Sequence, residues 1–463
     1  MTSCRLGLCA LLAGLAGLAG CAGSGPARPP LDAGAAAYRA GEPVFVLDAV
    51  ASVRDDAPGL DVYLGVPPAS LVFRQTADSL TAVAGWIVTV EQEGGAPRSA
   101  SPRDTFRVGT SDAARSAVPE WRVERFDVPP GEYVVRAVLE DLTSDRTAER
   151  RLDLRVPPPS GAPALGGLRL EAEAVDGAVD PVDASSVPAG LDSLRAIVQA
   201  TGVPDGATTE LSVVRVRADD EPAQRLDGLT PNQASLAARG VDLSDVDTVQ
   251  AVRQTILNPS EALDVEAPLP ALGPGVYRAR VRLVAPDGTP LDESDRLFVV
   301  RRRDYPLVTR LGDLVGPLVY VATPGELDPL VEAEDPEALR RAFDRFWGEE
   351  MDDRRLAAAT VRAYYERVEE ANRLFATYKD GWKTDPGMLY VLLGAPRYVE
   401  ATPTGERWSY AIGGGQPSVF VFERTAGRIY ENAPFRVLTL ERSRVYHDLF
   451  RRLQRQWRTG IVP

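Results

Sequence analysis

The chain has little of what most protein chemistry relies on. Its 463 residues include one histidine and three cysteines. The cysteines are Cys4, Cys9 and Cys21, all near the start, and the histidine is His447, near the far end. That inventory excludes a zinc site built on two histidines or on thiolates, and a histidine-supported iron centre. Past residue 21 there is no thiol to form a disulfide or act as a nucleophile. A Ser-His-Asp arrangement would have to use His447, which sits in a helical pattern and reads as a helix-face residue. No catalytic residue, metal site or cofactor is therefore assigned.

Lysine is nearly as scarce. Of the 52 basic residues only Lys379 and Lys383 are lysines. An ammonium is a compact point charge and a guanidinium a planar fork. Two neighbouring lysines in an arginine chain therefore mark a place that needs an ammonium, or they fall together by chance. The net charge of −14 and pI near 4.9 argue against nucleic acid or anionic lipid as the main partner.

What the N-terminal region does contain is one basic residue, Arg5, then an apolar stretch through Gly20, then Cys21. This is a secretory signal over residues 1–20, too short and too rich in small residues to be a spanning helix. Leu18-Ala19-Gly20-Cys21 resembles the lipobox of bacterial lipoproteins. The resemblance implies cleavage before Cys21, lipidation of that residue, and firm anchoring by more than one acyl chain. A plain secreted protein with an incidental cysteine is the alternative. Residues 21–41 are mostly Gly, Ala and Pro and read as a flexible tether. No acidic cluster follows Cys21, so by analogy with lipoprotein sorting the expected location is the cell envelope, on the outer membrane facing the periplasm. The expected partners are the membrane, through the lipid, and an envelope protein, with no nucleic acid.

Residues 42–156 hold short apolar runs at strand length, separated by turn residues, as in an all-β sandwich. Pro157-Pro158-Pro159 ends that ladder, and residues 157–303 form a second β-rich block. The blocks share an opening: Pro130-Gly131-Glu132-Tyr133 and Pro274-Gly275-Val276-Tyr277 each precede an alternating strand. That is the pattern of an immunoglobulin-like or fibronectin-like module in which a tyrosine pins a corner, although Pro-Gly turns also recur in β proteins generally. Between them, Ser244 to Ile256 reads as a short helix and Asp219-Asp220-Glu221 as a solvated loop.

Residues 304–463 change character, to an α+β domain. Thr323-Pro324-Gly325-Glu326 is a capping box with proline at the first helical position, and Asp335-Pro336 starts another helix. A long helix over about 353–377 places Val361, Tyr364, Tyr365, Val368, Ala371 and Phe375 on one stripe. Asn372 lies on the same stripe, and a buried amide needs partners, so it is expected to bond backbone near the loop that follows. Strands are expected over 389–393, 407–412, 418–423 and 436–440, with Gly413 to Gln416 as a hairpin loop. A last helix is expected from about Ser443. The fold class is thus multidomain, two all-β sandwiches followed by an α+β domain.

After the long helix comes Lys379-Asp380-Gly381-Trp382-Lys383-Thr384-Asp385-Pro386-Gly387. Gly381, Trp382, Thr384 and Asp385 resemble the signature of the GWxTD domain family, and with Phe346-Trp347, Tyr364-Tyr365-Glu366-Arg367, Asn372, Phe375 and Gly394-Ala395-Pro396 the resemblance extends from Tyr305 to Pro463. It implies a domain and no particular activity. Pro386 and Met388 stand where basic residues are expected in the family, so an anion-binding role is not carried over to those positions. Three uses of the signature are open. As a folding motif, Asp385 bonds turn amides, Gly381 and Gly387 permit positive φ, and Trp382 fills a gap. As a recognition loop, Trp382 is an anchor with Lys383 and Asp385 as polar contacts. As an enzyme site, Asp380 and Asp385 form a carboxylate pair or Lys383 is a base. The reading taken forward is a lipid-anchored binding or assembly component; the alternative is an envelope enzyme acting on glycans or peptides near Trp382.

Overall fold

The computed structural model describes residues 42–463 apart from 55–56, 77, 93, 117, 157–162, 174–176, 178, 231–239, 261, 352, 413–417 and 426–434. The signal, the tether with Cys21, the Pro157 boundary run and the Gly413 loop therefore lie outside the described residues.

The first block is two sheets around one core. Val46–Arg54, Ala57–Val66 and Glu120–Asp127 form a three-stranded antiparallel sheet. Ser79–Gln92, Gly131–Asp141 and Arg146–Val156 lie side by side in the other, the last of them at its edge. Gly131–Asp141 shows why: Tyr133, Val135, Ala137 and Leu139 alternate inward and are buried. Phe45 meets Trp86 edge-on at 5.3 Å in the middle, and the Trp86 Nε1–H donates to Asp104 at 2.9 Å.

The second block repeats the plan. Arg195–Thr201 pairs with Arg169–Glu173 and Ala262–Pro268 in one sheet. Pro290–Arg301, Gly275–Val284, Thr208–Ala218 and Val241–Thr255 follow one another in the other. The repeated sequence opening is a repeated structure. The Tyr133 hydroxyl donates to the Pro129 carbonyl at 2.6 Å and that of Tyr277 to the Gly273 carbonyl at 2.9 Å, each four residues back.

One expectation fails here. The Ser244–Ile256 stretch is not a helix but most of the edge strand Val241–Thr255. Val246, Val249 and Val252 recur every third residue and imitate a helical stripe, yet all three are exposed. Antiparallel pairing with Thr208–Ala218, with two register shifts, overrides that local pattern.

The last region packs helices against a four-stranded antiparallel sheet of Tyr398–Thr402, Gly405–Tyr410, Ser418–Arg424 and Leu438–Leu440. Pro324–Val331 starts on the capping box of Thr323 and Glu326, and Pro336–Gly348 on Asp335, which accepts from the Ala338 N–H at 2.7 Å. Arg354–Phe375 buries Tyr364, Tyr365, Val368, Ala371 and Phe375 along one stripe, and His447–Arg458 closes the core with Phe450, Leu453 and Trp457. The strand expected over 389–393 is instead part of the helix Asp385–Leu393, in which Pro386 through Leu392 are all buried. A helix buried all round has no polar face, so its short apolar run is indistinguishable from a strand by periodicity. The first strand of the sheet, Tyr398–Thr402, was not anticipated, and the others begin or end within two residues of the expected bounds.

No helix among the described residues is long and apolar enough to cross a membrane.

Candidate functional site

The signature sits at the junction between the second β block and the last region. Gly381–Lys383 is one turn of 3₁₀ helix, and Thr384 caps the helix Asp385–Leu393 by accepting from the Gly387 N–H at 3.1 Å. Neither glycine has positive φ, which corrects the expectation. Both are needed for close approach: a Cβ on Gly381 would lie 1.9 Å from the Ala371 carbonyl oxygen, and one on Gly387 would lie 1.8 Å from that of Gly381. The turn is thus pressed against the long helix on one side and its own helix on the other.

Trp382 is 7% exposed and belongs to the hydrophobic core, edge-on to Tyr320 at 6.1 Å. Its backbone is held at both ends: its N–H donates to Asn372 Oδ1 at 3.2 Å, and its carbonyl accepts from the Tyr320 hydroxyl at 3.0 Å. Asn372 also donates from Nδ2 to the Pro306 carbonyl at 3.0 Å, so the buried amide ties the long helix to the signature turn and to the chain entering the domain. Burial raises the Tyr320 hydroxyl pKa well above its ordinary value, and the nearby Asp385 charge adds to this.

Asp385 faces a partner that sequence reasoning missed. Arg442 grips it with both terminal nitrogens, Nη1 to Oδ2 at 3.0 Å and Nη2 to Oδ1, and the Leu440 N–H donates to Oδ2 at 2.7 Å. The Arg442 side chain is 1% exposed and that of Asp385 11%. The same guanidinium reaches into the second block, donating to the carbonyls of Gln224 at 2.9 Å and Arg225 at 3.2 Å. The arginine count gave no clue, since this chain uses arginine at nearly every basic position.

The two lysines answer the question their rarity posed. Lys379 Nζ donates to Asp219 Oδ2 at 3.3 Å and to the Glu221 carbonyl at 2.7 Å, while Lys383 Nζ lies 2.6 Å from Asp220 Oδ2. Burial lowers the Lys379 ammonium pKa, with the Asp219 charge opposing. Asp219-Asp220-Glu221 is a loop with Asp220 and Glu221 exposed, as expected, and it is also the acidic counterpart of the signature lysines, with Asp219 largely covered by Lys379. The Ala223 N–H adds a bond to the Lys383 carbonyl at 2.8 Å, Leu226 is fully buried in the core of the last region, and the Arg442 N–H donates to Thr230 Oγ1 at 2.7 Å. Residues 219–230, which follow the strand Thr208–Ala218, thus lie against the last region from the signature lysines to Arg442.

Arg301, at the end of the second block, completes the joint. It donates to the Ser185 and Thr377 carbonyls, pairs with Asp380 at 3.4 Å, and stacks over Tyr305 at 4.5 Å. His447 sits apart from the signature, its Nδ1 2.7 Å from Asp227. Among the described residues no group of three or more His, Cys, Asp or Glu side chains could hold a metal ion.

The ionisable atoms of the signature are thus all paired: Lys383 with Asp220 and Asp380 with Arg301 of the second block, and Asp385 with Arg442 of its own region, which in turn bonds the second block through Gln224 and Arg225. A cavity of about 970 Å³ opens beside them, lined by Lys383 and Asp385 as well as by residues of both β blocks.

Among solved structures, a red sea bream transglutaminase shares 13% identity over 56% of this chain and 31% of its own, with a TM-score of 0.17. The native E. coli alpha-2-macroglobulin shares 12% over 56% of this chain and 16% of its own, with a TM-score of 0.19. This chain spans less than a third of either protein, and neither likeness bears on its fold or function. No curated protein matches it. Residues 283–459 match the GWxTD domain, a span that takes in the last strand of the second block with its Arg301 as well as the helices and four-stranded sheet, and on that match the chain carries a domain of the GWxTD family.

Proposed function

We propose that the protein is a lipid-anchored component of the cell envelope, held on the outer membrane facing the periplasm through Cys21, that binds or assembles with an envelope protein. In this reading the two β blocks are immunoglobulin-like or fibronectin-like modules, a reading supported by their matching tyrosine corners. Such modules usually bind or space.

The observation that supports a binding role most directly is the use of the signature as a joint. The groups an enzyme would need as an acid-base pair are Asp380, Lys383 and Asp385, and each is engaged by a residue of the second module or by Arg442. A carboxylate gripped by a buried guanidinium is a poor general base, because proton uptake would break the pair. Trp382 is core and offers no exposed anchor. The GWxTD domain and the second module therefore act as one presenting body, and a partner is met on its outer surfaces or in the cleft.

The test is recovery of the full chain from envelopes. Wild type should require detergent for release and should copurify with a stoichiometric envelope protein after mild crosslinking, whereas Cys21→Ser should appear in the soluble fraction. A Cys21→Ser variant that still needs detergent removes the anchor from the reading. Wild type recovered alone under crosslinking removes the assembly role.

A further inference from the structure

The cavity at the meeting of the two β modules and the GWxTD domain has a charge opposite to that of the chain. The protein carries a net −14, yet basic side chains outnumber acidic ones along the cavity wall. Many of these cations already have a counterpart: Arg296 with Asp48, Arg442 with Asp385, Lys379 with Asp219. Arg150 and Arg436 also line the cavity, from two different parts of the chain. Arg150 comes from the first module, on the strand Arg146–Val156, and lies over the Phe45 ring at 5.3 Å. Arg436 comes from the GWxTD domain, just before the strand Leu438–Leu440, and pairs with Glu406. That carboxylate is wholly buried and also accepts from Trp408 Nε1 at 2.8 Å.

Guanidiniums from the first block and the last region thus line one cavity, Arg436 held by the buried Glu406 and Arg150 within reach of the Glu42 charge. Burial, and then the Arg436 charge, push the Arg150 pKa down to about 10, with Glu42 offsetting part of the effect. Arg150 remains a cation at neutral pH, in a place where burial disfavours the charge and a further anion would favour it. Forked guanidiniums are suited to planar bidentate recognition of carboxylate or phosphate. The strand that carries Arg150 also brings Leu152 and Leu154 to the cavity, at alternate positions and hence on the same face. Phe435 supplies apolar surface beside Arg436. A volume of about 970 Å³ far exceeds what an inorganic ion fills, and it lies at the upper end for small organic ligands.

We propose that this cleft binds an amphipathic organic anion, with its carboxylate or phosphate head between Arg150 and Arg436 and its apolar body along Leu152, Leu154 and Phe435. The inference goes beyond the assembly role and does not depend on it, since ligand binding is measured on purified protein with no partner present.

The experiment is calorimetric titration of the full chain with octanoate, octyl phosphate, octanol and inorganic phosphate, in a nonionic detergent that keeps the protein dispersed. Octanoate, octyl phosphate or both should bind, and whichever binds names the head group. Octanol and inorganic phosphate should each bind at least tenfold more weakly. Arg150→Gln should weaken the anionic amphiphile tenfold or more at unchanged melting temperature. Arg436→Gln alone would strand the buried Glu406, so the double variant Arg436→Gln/Glu406→Gln is the second test, and it should weaken binding similarly. Equal affinity for octanol would show an apolar cavity without a head-group site. Equal affinity for inorganic phosphate would show an ion site without an apolar half. An acidic peptide that displaces octanoate at comparable affinity would make the cleft a peptide groove. Each of these results, or unchanged affinity in Arg150→Gln, overturns the proposal.

Discussion

The molecule has two joints, built on different principles. Between the second block and the last region, the largely buried Lys379–Asp219 pair and side chain to backbone bonds interlock along residues 219–230. Between the first and second blocks, the contacts include close approach at Gly166 and Gly167, the latter against the buried Val50 side chain, and an ion pair. Gly166 has the Ala51 carbonyl 2.9 Å from where its Cβ would be, and Arg296 forks onto Asp48 at 2.8 and 3.2 Å. Directional charge pairs fix one register and tolerate little sliding, because any displacement leaves a buried charge uncompensated. Small-residue contact fixes distance but leaves angle to be set by other contacts. The cavity lies beside the second kind of joint as well as the first, so its width follows how the first module is set against the other two.

Breaking the directional joint should have the largest effect. Asp385→Ala leaves Arg442 buried and uncompensated, and should cost about 3–5 kcal/mol. Urea unfolding should show the lowered midpoint. A loss under about 1 kcal/mol would mean that Arg442 finds another partner and that the pair does not hold the joint.

Leu226→Ala attacks the same joint by packing alone. The side chain is fully buried although it comes from the second module, and its truncation should cost roughly 2–5 kcal/mol. Its effect should be less than additive with Asp385→Ala, since both loosen residues 219–230. Full additivity would show that the ion pair and the apolar contact are independent anchors.

Asp48→Ala tests the other joint. Its pair with Arg296 is partly exposed, with side chains 23% and 18% accessible, so the loss should be about 1 kcal/mol. A loss as large as that of Asp385→Ala would erase the contrast between the joints.

These expectations also show what the sequence could express. The capping box at Thr323, the stripe of the long helix and the tyrosine corners were legible because each is written within a few residues. The two corners should respond alike: Tyr133→Phe and Tyr277→Phe should each cost about 0.5–1.5 kcal/mol, and a large inequality would mean that only one of them is structural. What was not legible depends on distant pairing. Asp385 and Arg442 are 57 residues apart, and Lys379 meets Asp219 across 160. The scarcity of lysine singled out Lys379 and Lys383 but could not name the acidic loop they meet. The strand Val241–Thr255 and the helix Asp385–Leu393 were misread for a related reason, since tertiary contact decided between two conformations that the local pattern allowed equally.

The smallest expected effect probes the directional joint by pH. Asp227, on the second-module side, accepts from His447 of the GWxTD domain at 2.7 Å. Burial raises its carboxyl pKa, but the His447 bond and the charge of Arg225 outweigh that and leave it below the ordinary 3.8. A depressed carboxylate pKa contributes stability that is present above the unfolded value and is lost as pH falls through the folded value. The contribution should therefore be present above the ordinary 3.8 and be lost as pH falls below it. Asp227→Asn removes the titrating group, so the urea midpoints of wild type and variant should differ by a small amount at pH 5 and converge as pH falls below 3.8. His447→Ala should show the same convergence with a smaller offset, because Arg225 still holds the carboxylate at 3.4 Å. If the difference between wild type and Asp227→Asn persists unchanged to pH 3, the charge on Asp227 contributes nothing to the joint, and its hold on the GWxTD domain rests on the buried groups alone.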